Sequence, residues 1–205
     1  TGRERGIQRL MSINLLKRLE SSVNSFQLTL TRIKELINGT IEAINRFEKY
    51  GSADISMYEA SRDDWDIDDE NTEFFTVGKK VKIELADMDW KSWRKELQQD
   101  AEVLELLTLM VADITPEHDT NLQELLRLLD EKITHPINPN NKKVLIFSAF
   151  SDTAEYLYDH VSMYMKDKYG LNTAVITGTI DGRTTIKDFP ATLNNVLTCF
   201  SPVSK

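Results

Sequence analysis

The chain has 205 residues, a formal net charge of −8 and a single cysteine. Its 40% hydrophobic and 28% charged residues are those of a soluble globular chain, long enough to bury a core without disulfide or metal staples. One cysteine excludes an internal disulfide. No apolar run reaches the roughly 18 residues that span a bilayer, and no signal-peptide core opens the chain, so a cytoplasmic protein with no membrane partner is expected.

The sequence opens with Thr1-Gly2-Arg3 and no initiator Met, which points to a piece of a longer protein. Leu19, Val23, Phe26, Leu30, Ile33, Ile37, Thr40, Ile44 and Phe47 alternate spacings of four and three, the seam of a helix that packs on other helices. One long helix is therefore expected over about 6–48, with Gly51 as its stop and a kink at Asn38-Gly39. An acidic stretch follows, SRDDWDIDDENTEFF. Asp64, Asp66 and Asp68 alternate as in an EF-hand loop, but the sixth position is Asp69 instead of Gly and the twelfth is Phe75 instead of Glu. The template fails twice, so a solvated acidic loop is expected over 60–75, and a short strand within 77–89.

A second helix is expected over 91–114, with Trp93, Leu97, Leu104, Leu107, Val111 and Ile114 on one face. Val103, Leu106 and Met110 widen that face, which calls for more than one packing neighbour. Leu122, Leu125, Leu126, Leu129 and Ile133 define a third helix over 118–134, ended by Pro136 and Pro139. HPINPNN is thus a boundary between a helical region, 1–140, and a second region, 141–205. The charge divides there too. Beyond residue 140, seven Lys/Arg against six Asp/Glu give +1, which leaves −9 on the helical region. Such a balance argues against a general polyanion binder.

Past the boundary the period changes. VLIFS is a continuous apolar run of strand length, Asp152 and Glu155 open a helix, and that helix ends at Gly170. NTAVIT at 172–177 reads as the next strand, 183–189 as a short helix stopped by Pro190, and 195–200 as a third strand. Strand–helix–strand–helix–strand is the order of an open parallel α/β sheet, here only half of one. The fold class is therefore α/β with a large all-α part.

In open α/β sheets ligands bind beyond the carboxyl ends of the strands. The first such end holds Ser148, whose hydroxyl, with the amides of the following helix N-terminus, suits a phosphate oxygen. The second holds Gly178, Thr179 and Arg183: a close backbone approach, a donor and a cation. Walker A, dinucleotide, nucleophile-elbow and zinc-protease motifs are absent from the sequence. His118, His135 and His160 lack metal-ligand spacing, and Cys199 in VLTCF reads as a buried inert thiol. No catalytic, cofactor or metal residue is assigned.

KVLIFSAFSDTAEYLYDHV resembles motif IV in the second RecA-like lobe of superfamily-two helicases, above all the Swi/Snf-like DNA-dependent ATPases. NLQELLRLLDEKI resembles the helix before that strand, and ITGTIDGRTTIKDF the pattern after it, with Gly178, Arg183 and Phe189 in the matching places. LLKRLESSVNSFQLTL resembles the helix that opens the lobe in a bacterial branch. The resemblance implies the first half of a RecA-like lobe carrying a helical protrusion. It also implies a parent enzyme that couples ATP and Mg²⁺ to movement along DNA. Ser148, Gly178, Thr179 and Arg183 would touch the backbone of duplex DNA, and the missing first motor lobe would be the partner within the same chain. The Walker A lysine, the acidic Mg²⁺ motif and the later second-lobe motifs do not occur here, so the piece by itself is expected to be inactive. The alternatives are a non-enzymatic helical interaction module with a small α/β platform and, more remotely, a complete small α/β enzyme working at the 148–152 loop.

Overall fold

The computed structural model describes residues 2–51, 85–178 and 182–201. The expected acidic loop at 60–75 and most of the expected strand at 77–89 lie outside these residues. The chain divides into two compact units near residue 113.

The first unit is entirely helical among its described residues: α1 (Gly2–Ser21), α2 (Val23–Tyr50), a single 3-10 turn (Leu85–Asp87) and α3 (Trp90–Ala112). The helix expected over 6–48 is thus two helices. Ser22 breaks it with extended backbone (φ −165°, ψ 135°), and its hydroxyl accepts the Ser25 N–H at 3.4 Å to cap α2. Serine side chains that bond nearby amides compete with the helix and favour a cap, which the apolar spacing alone does not register. The break lets α1 fold back, so that Met11 packs on Leu36 and Ile33, and Leu15 and Leu19 join Phe26 and Leu30.

Beyond the break α2 behaves as its seam predicts. Leu30 and Ile44 are wholly buried, each worth roughly 1.5–3 kcal/mol of transfer free energy. Thr40 is also buried, its hydroxyl satisfied by donation to the Leu36 carbonyl at 2.8 Å. The helix runs through Asn38-Gly39 without interruption. It ends at Gly51, whose left-handed φ of 69° lets its N–H reach the Phe47 carbonyl.

α3 lies antiparallel to α2. Arg94 of α3 pairs with Glu48, Lys34 of α2 pairs with Glu105, and the Gln27 amide donates to the Val111 carbonyl. Leu104, Leu107 and Val111 join the Leu30 cluster, while Trp93 and Leu97 pack around Ile44 and Leu85. Among the described residues, Val103, Leu106 and Met110 do not gain the second neighbour expected of them and are 56–68% exposed.

The second unit is built on α4 (Thr120–Thr134) and α5 (Ser151–Tyr169). Leu122, Leu129 and Ile133 of α4 meet Val161 and Met165 of α5, with Val144 and Leu171 packed against them. Two aspartates of the α4 segment fix the pair. Asp119 caps α4 by accepting the Asn121 and Leu122 N–H groups, and its second oxygen accepts the Tyr156 hydroxyl at 2.9 Å. Asp130 accepts from the Tyr164 hydroxyl, the Tyr169 hydroxyl and the Lys168 ammonium at 2.6–2.8 Å. α5 ends at Gly170 in the left-handed region, as the sequence indicates.

The half-built parallel sheet expected over 141–205 does not form among the described residues. Residues 144–148 lead into α5 as a segment with no strand partner; Leu145 and Phe147 are 63% and 86% exposed. The only described sheet is antiparallel, β1 (Ala174–Val175) against β2 (Arg183–Thr184). The short helix expected over 183–189 is replaced by β2 and a turn. β-branched Thr184, Thr185 and Ile186 resist helix, and the Thr184 hydroxyl bonds the Thr173 carbonyl. The third strand is instead α6 (Leu193–Phe200), capped by Thr192. Leu193, Val196, Leu197 and Phe200 recur at helical spacing, a pattern that short apolar runs readily hide. Cys199 is exposed on α6, where the sequence reading has it buried.

Replacing Asp119 with Ala removes an N-cap and a tyrosine partner together. The second unit should lose about 1–2 kcal/mol, read as a lower denaturant midpoint for near-ultraviolet tyrosine dichroism. A second expectation concerns acid. The Lys168 ammonium, then the tyrosine hydroxyls, hold the Asp130 carboxyl below its usual range. Its contribution is therefore complete above the unfolded carboxylate pKa and is lost as pH falls through the lower folded value. Asp130→Asn should be less stable than wild type at neutral pH, and the difference should shrink in strong acid. A constant difference across acid titration would show that Asp130 is not coupled to folding.

Candidate functional site

α5 organises the residues that the sequence singles out. Ser148 stands three residues before it. Its hydroxyl accepts the Phe150 N–H at 3.1 Å and donates to the Phe150 carbonyl at 3.0 Å, so it shapes the turn into the helix. The helix opens at Ser151, with Phe150 at the N-cap in place of the expected Asp152, and no side-chain cap bond. Asp152 falls in the first turn.

Arg183 arrives from the hairpin. Its guanidinium donates to Glu155 at 2.6 Å and to Asp159 at 2.7 Å, and lies 4.6 Å from the centre of the Tyr158 ring. Glu155, Tyr158 and Asp159 occupy one α5 face, at spacings of three and four, and so form a cradle for one planar cation. Asp159, then Glu155, pushes Arg183 further into its charged form. Burial raises the Tyr158 hydroxyl, against the opposing pull of Arg183. Arg183 is thus held one to two turns into α5, the helix that the Ser148 turn enters.

Gly178 is exposed where the chain leaves β1, and Thr179 lies outside the described residues. Gly182 has a role in packing. A Cβ there would stand 1.9 Å from the Ala191 carbonyl oxygen and 2.5 Å from a terminal carbon of Ile176. Only a residue without a side chain lets the hairpin settle against 190–192. Next to this region Lys143 donates to the Phe200 carbonyl and covers the Phe200 ring, tying the 144–148 segment to α6.

The sequence reading missed Glu155, Tyr158 and Asp159 as a unit. The available signal was acid–aromatic–acid at helical spacing before a strand carrying one arginine. Among the described residues, no group of three or more His, Cys, Asp or Glu is arranged to hold a metal ion. No helix among them is long and apolar enough to cross a membrane. Chemically, the arrangement offers hydrogen-bond donors and one heavily compensated cation, with no nucleophile–base pair built from these residues. Compared with family models, curated proteins and solved structures, the chain finds no match.

Gly182→Ala should force the hairpin away from Ala191. The Thr185 amide, which donates to the Thr173 carbonyl at 3.0 Å, should then exchange with solvent about tenfold faster. Unchanged exchange would mean that the 190–192 backbone yields instead.

Proposed function

We propose that this chain is part of an ATP-dependent, Swi/Snf-like DNA translocase and contributes backbone contacts from its second motor lobe. What supports the reading is that the Arg183 hairpin is held on Glu155 and Asp159 in the first half of α5, the helix that the Ser148 turn enters. A hydroxyl at the entry to α5 and a guanidinium held on its first half are the side-chain types that suit a sugar-phosphate backbone. The 144–148 segment adds support. Its apolar residues are those of a strand meant for a sheet, and their exposure leaves room for the neighbouring strands that a RecA-like lobe would supply. ATP and Mg²⁺ would bind where Walker-type residues lie, and this sequence carries none. Arg183 would exchange its bond to Asp159 for one to a phosphate oxygen, and Gly178 would lie on the same approach.

One observation favours the second reading, a non-enzymatic interaction module: the apolar face that α3 leaves exposed.

Anisotropy titration of the chain with fluorescent duplex DNA at several salt concentrations tests the proposal. Weak binding is expected, with log affinity falling linearly against log salt, and Arg183→Ala should weaken it by about three- to tenfold and flatten the slope by about one unit. No ATP turnover should accompany it. Binding that ignores salt, or no loss in the Arg183 variant, would remove the nucleic-acid reading and leave the interaction module.

A further inference from the structure

α3 is two-faced in both hydropathy and charge. Leu104, Leu107 and Val111 face α2, while Val103, Leu106, Leu109 and Met110 are 56–68% exposed on the other side. From Glu96 to Asp113 the helix carries five acids and no base. Glu102 lies one turn before Leu106, and Asp113 one turn after Leu109, so the apolar stripe has an acidic border. Exposed apolar residues gathered on one helix face mark an interaction surface more often than scattered ones do.

α1 presents the opposite character. Met11, Leu15 and Leu19 pack inward, and Leu10, Ile13 and Leu16 remain 40–59% exposed at spacings of three. Arg9 lies one turn before Ile13 and Lys17 one turn after it, both exposed. This is an apolar stripe with a mainly basic border, Glu20 one turn after Leu16 being its one flanking acid.

We propose that the exposed face of α3 docks α1 of a second copy of this chain. Apolar stripes of matching width would bury one another, while Arg9 and Lys17 of one copy meet Glu102 and Asp113 of the other. Charge decides between this pairing and the simpler one of α3 with α3. The latter would bring the two acidic borders together with no cation on either stripe, and facing like charges oppose association. The α1–α3 pairing can form twice in a two-fold dimer, which doubles its apolar contact.

Sedimentation velocity of the whole chain, from low micromolar to hundreds of micromolar, tests this. Reversible self-association is expected. Leu106→Glu with Met110→Glu should weaken it by at least about tenfold, and so should Arg9→Glu with Lys17→Glu. Glu102→Lys with Asp113→Lys should also fail to self-associate, yet a mixture of the two charge-reversed chains should form heterodimers. All these positions are exposed, and unchanged helical dichroism would show that each variant folds. A wild-type chain that stays monomeric at every concentration would overturn the proposal. So would loss of association in the α3 variants alone, or a mixture that does not pair.

Discussion

The second unit depends on one contact, the packing of α4 against α5. Apolar burial supplies its driving force through Leu122, Leu129, Ile133, Val161 and Met165. Burial is indifferent to small rotations of one helix on another, and here directional bonds remove that freedom. Asp119 holds Tyr156 near the start of α5, and Asp130 holds Tyr164, Lys168 and Tyr169 near its end. Two anchors about three turns apart fix both the azimuth and the register of α5. Two further segments are referred to that helix: the Ser148 turn enters it, and the hairpin is held on its Glu155–Asp159 face.

The first unit solves the same problem differently. α2 supplies a continuous apolar ridge, and the partners on either side are placed by polar contacts at the rim. Arg94 with Glu48, Lys34 with Glu105 and Gln27 with the Val111 carbonyl are spaced along α2 so that only an antiparallel α3 satisfies all three. Exposed pairs of this kind add little stability, typically about 0–1 kcal/mol each. Their contribution is to direction. The apolar seam would tolerate either orientation, and the charges select one.

What could be read from the sequence follows from how local each signal is. The ends of α2, α4 and α5 were legible because Gly51, Pro136 and Gly170 act on their own backbone, whatever surrounds them. The buried faces of α2 and α4 were legible from periodicity. The break at Ser22 was not, since a serine in a strong apolar pattern is tolerated or capping according to what the chain beyond it packs on. The parallel sheet failed for a related reason. An apolar run such as 144–148 states that it prefers burial as a strand, but hydrogen-bonded neighbours decide whether it pairs. In α6 the same ambiguity resolved the other way, because Thr192 capped it. Of the candidate residues, Ser148 and Arg183 were singled out from their places at loop ends. The cradle on α5 required knowing that the hairpin returns to that helix.

Arg183 shows how such a cradle changes the chemistry available to a cation. In isolation an arginine on an exposed hairpin is a ready phosphate ligand. Here two carboxylates and a tyrosine ring already hold it, and the local charge is negative by one. A phosphate that took the place of Glu155 would leave that carboxylate, only 19% exposed, without its partner. Asp159 is 53% exposed and readily solvated, so its bond is the cheaper to exchange. The guanidinium can thus pivot on Glu155 and Tyr158 while offering its second nitrogen outward. That geometry favours weak, orienting contact with an anion over tight capture.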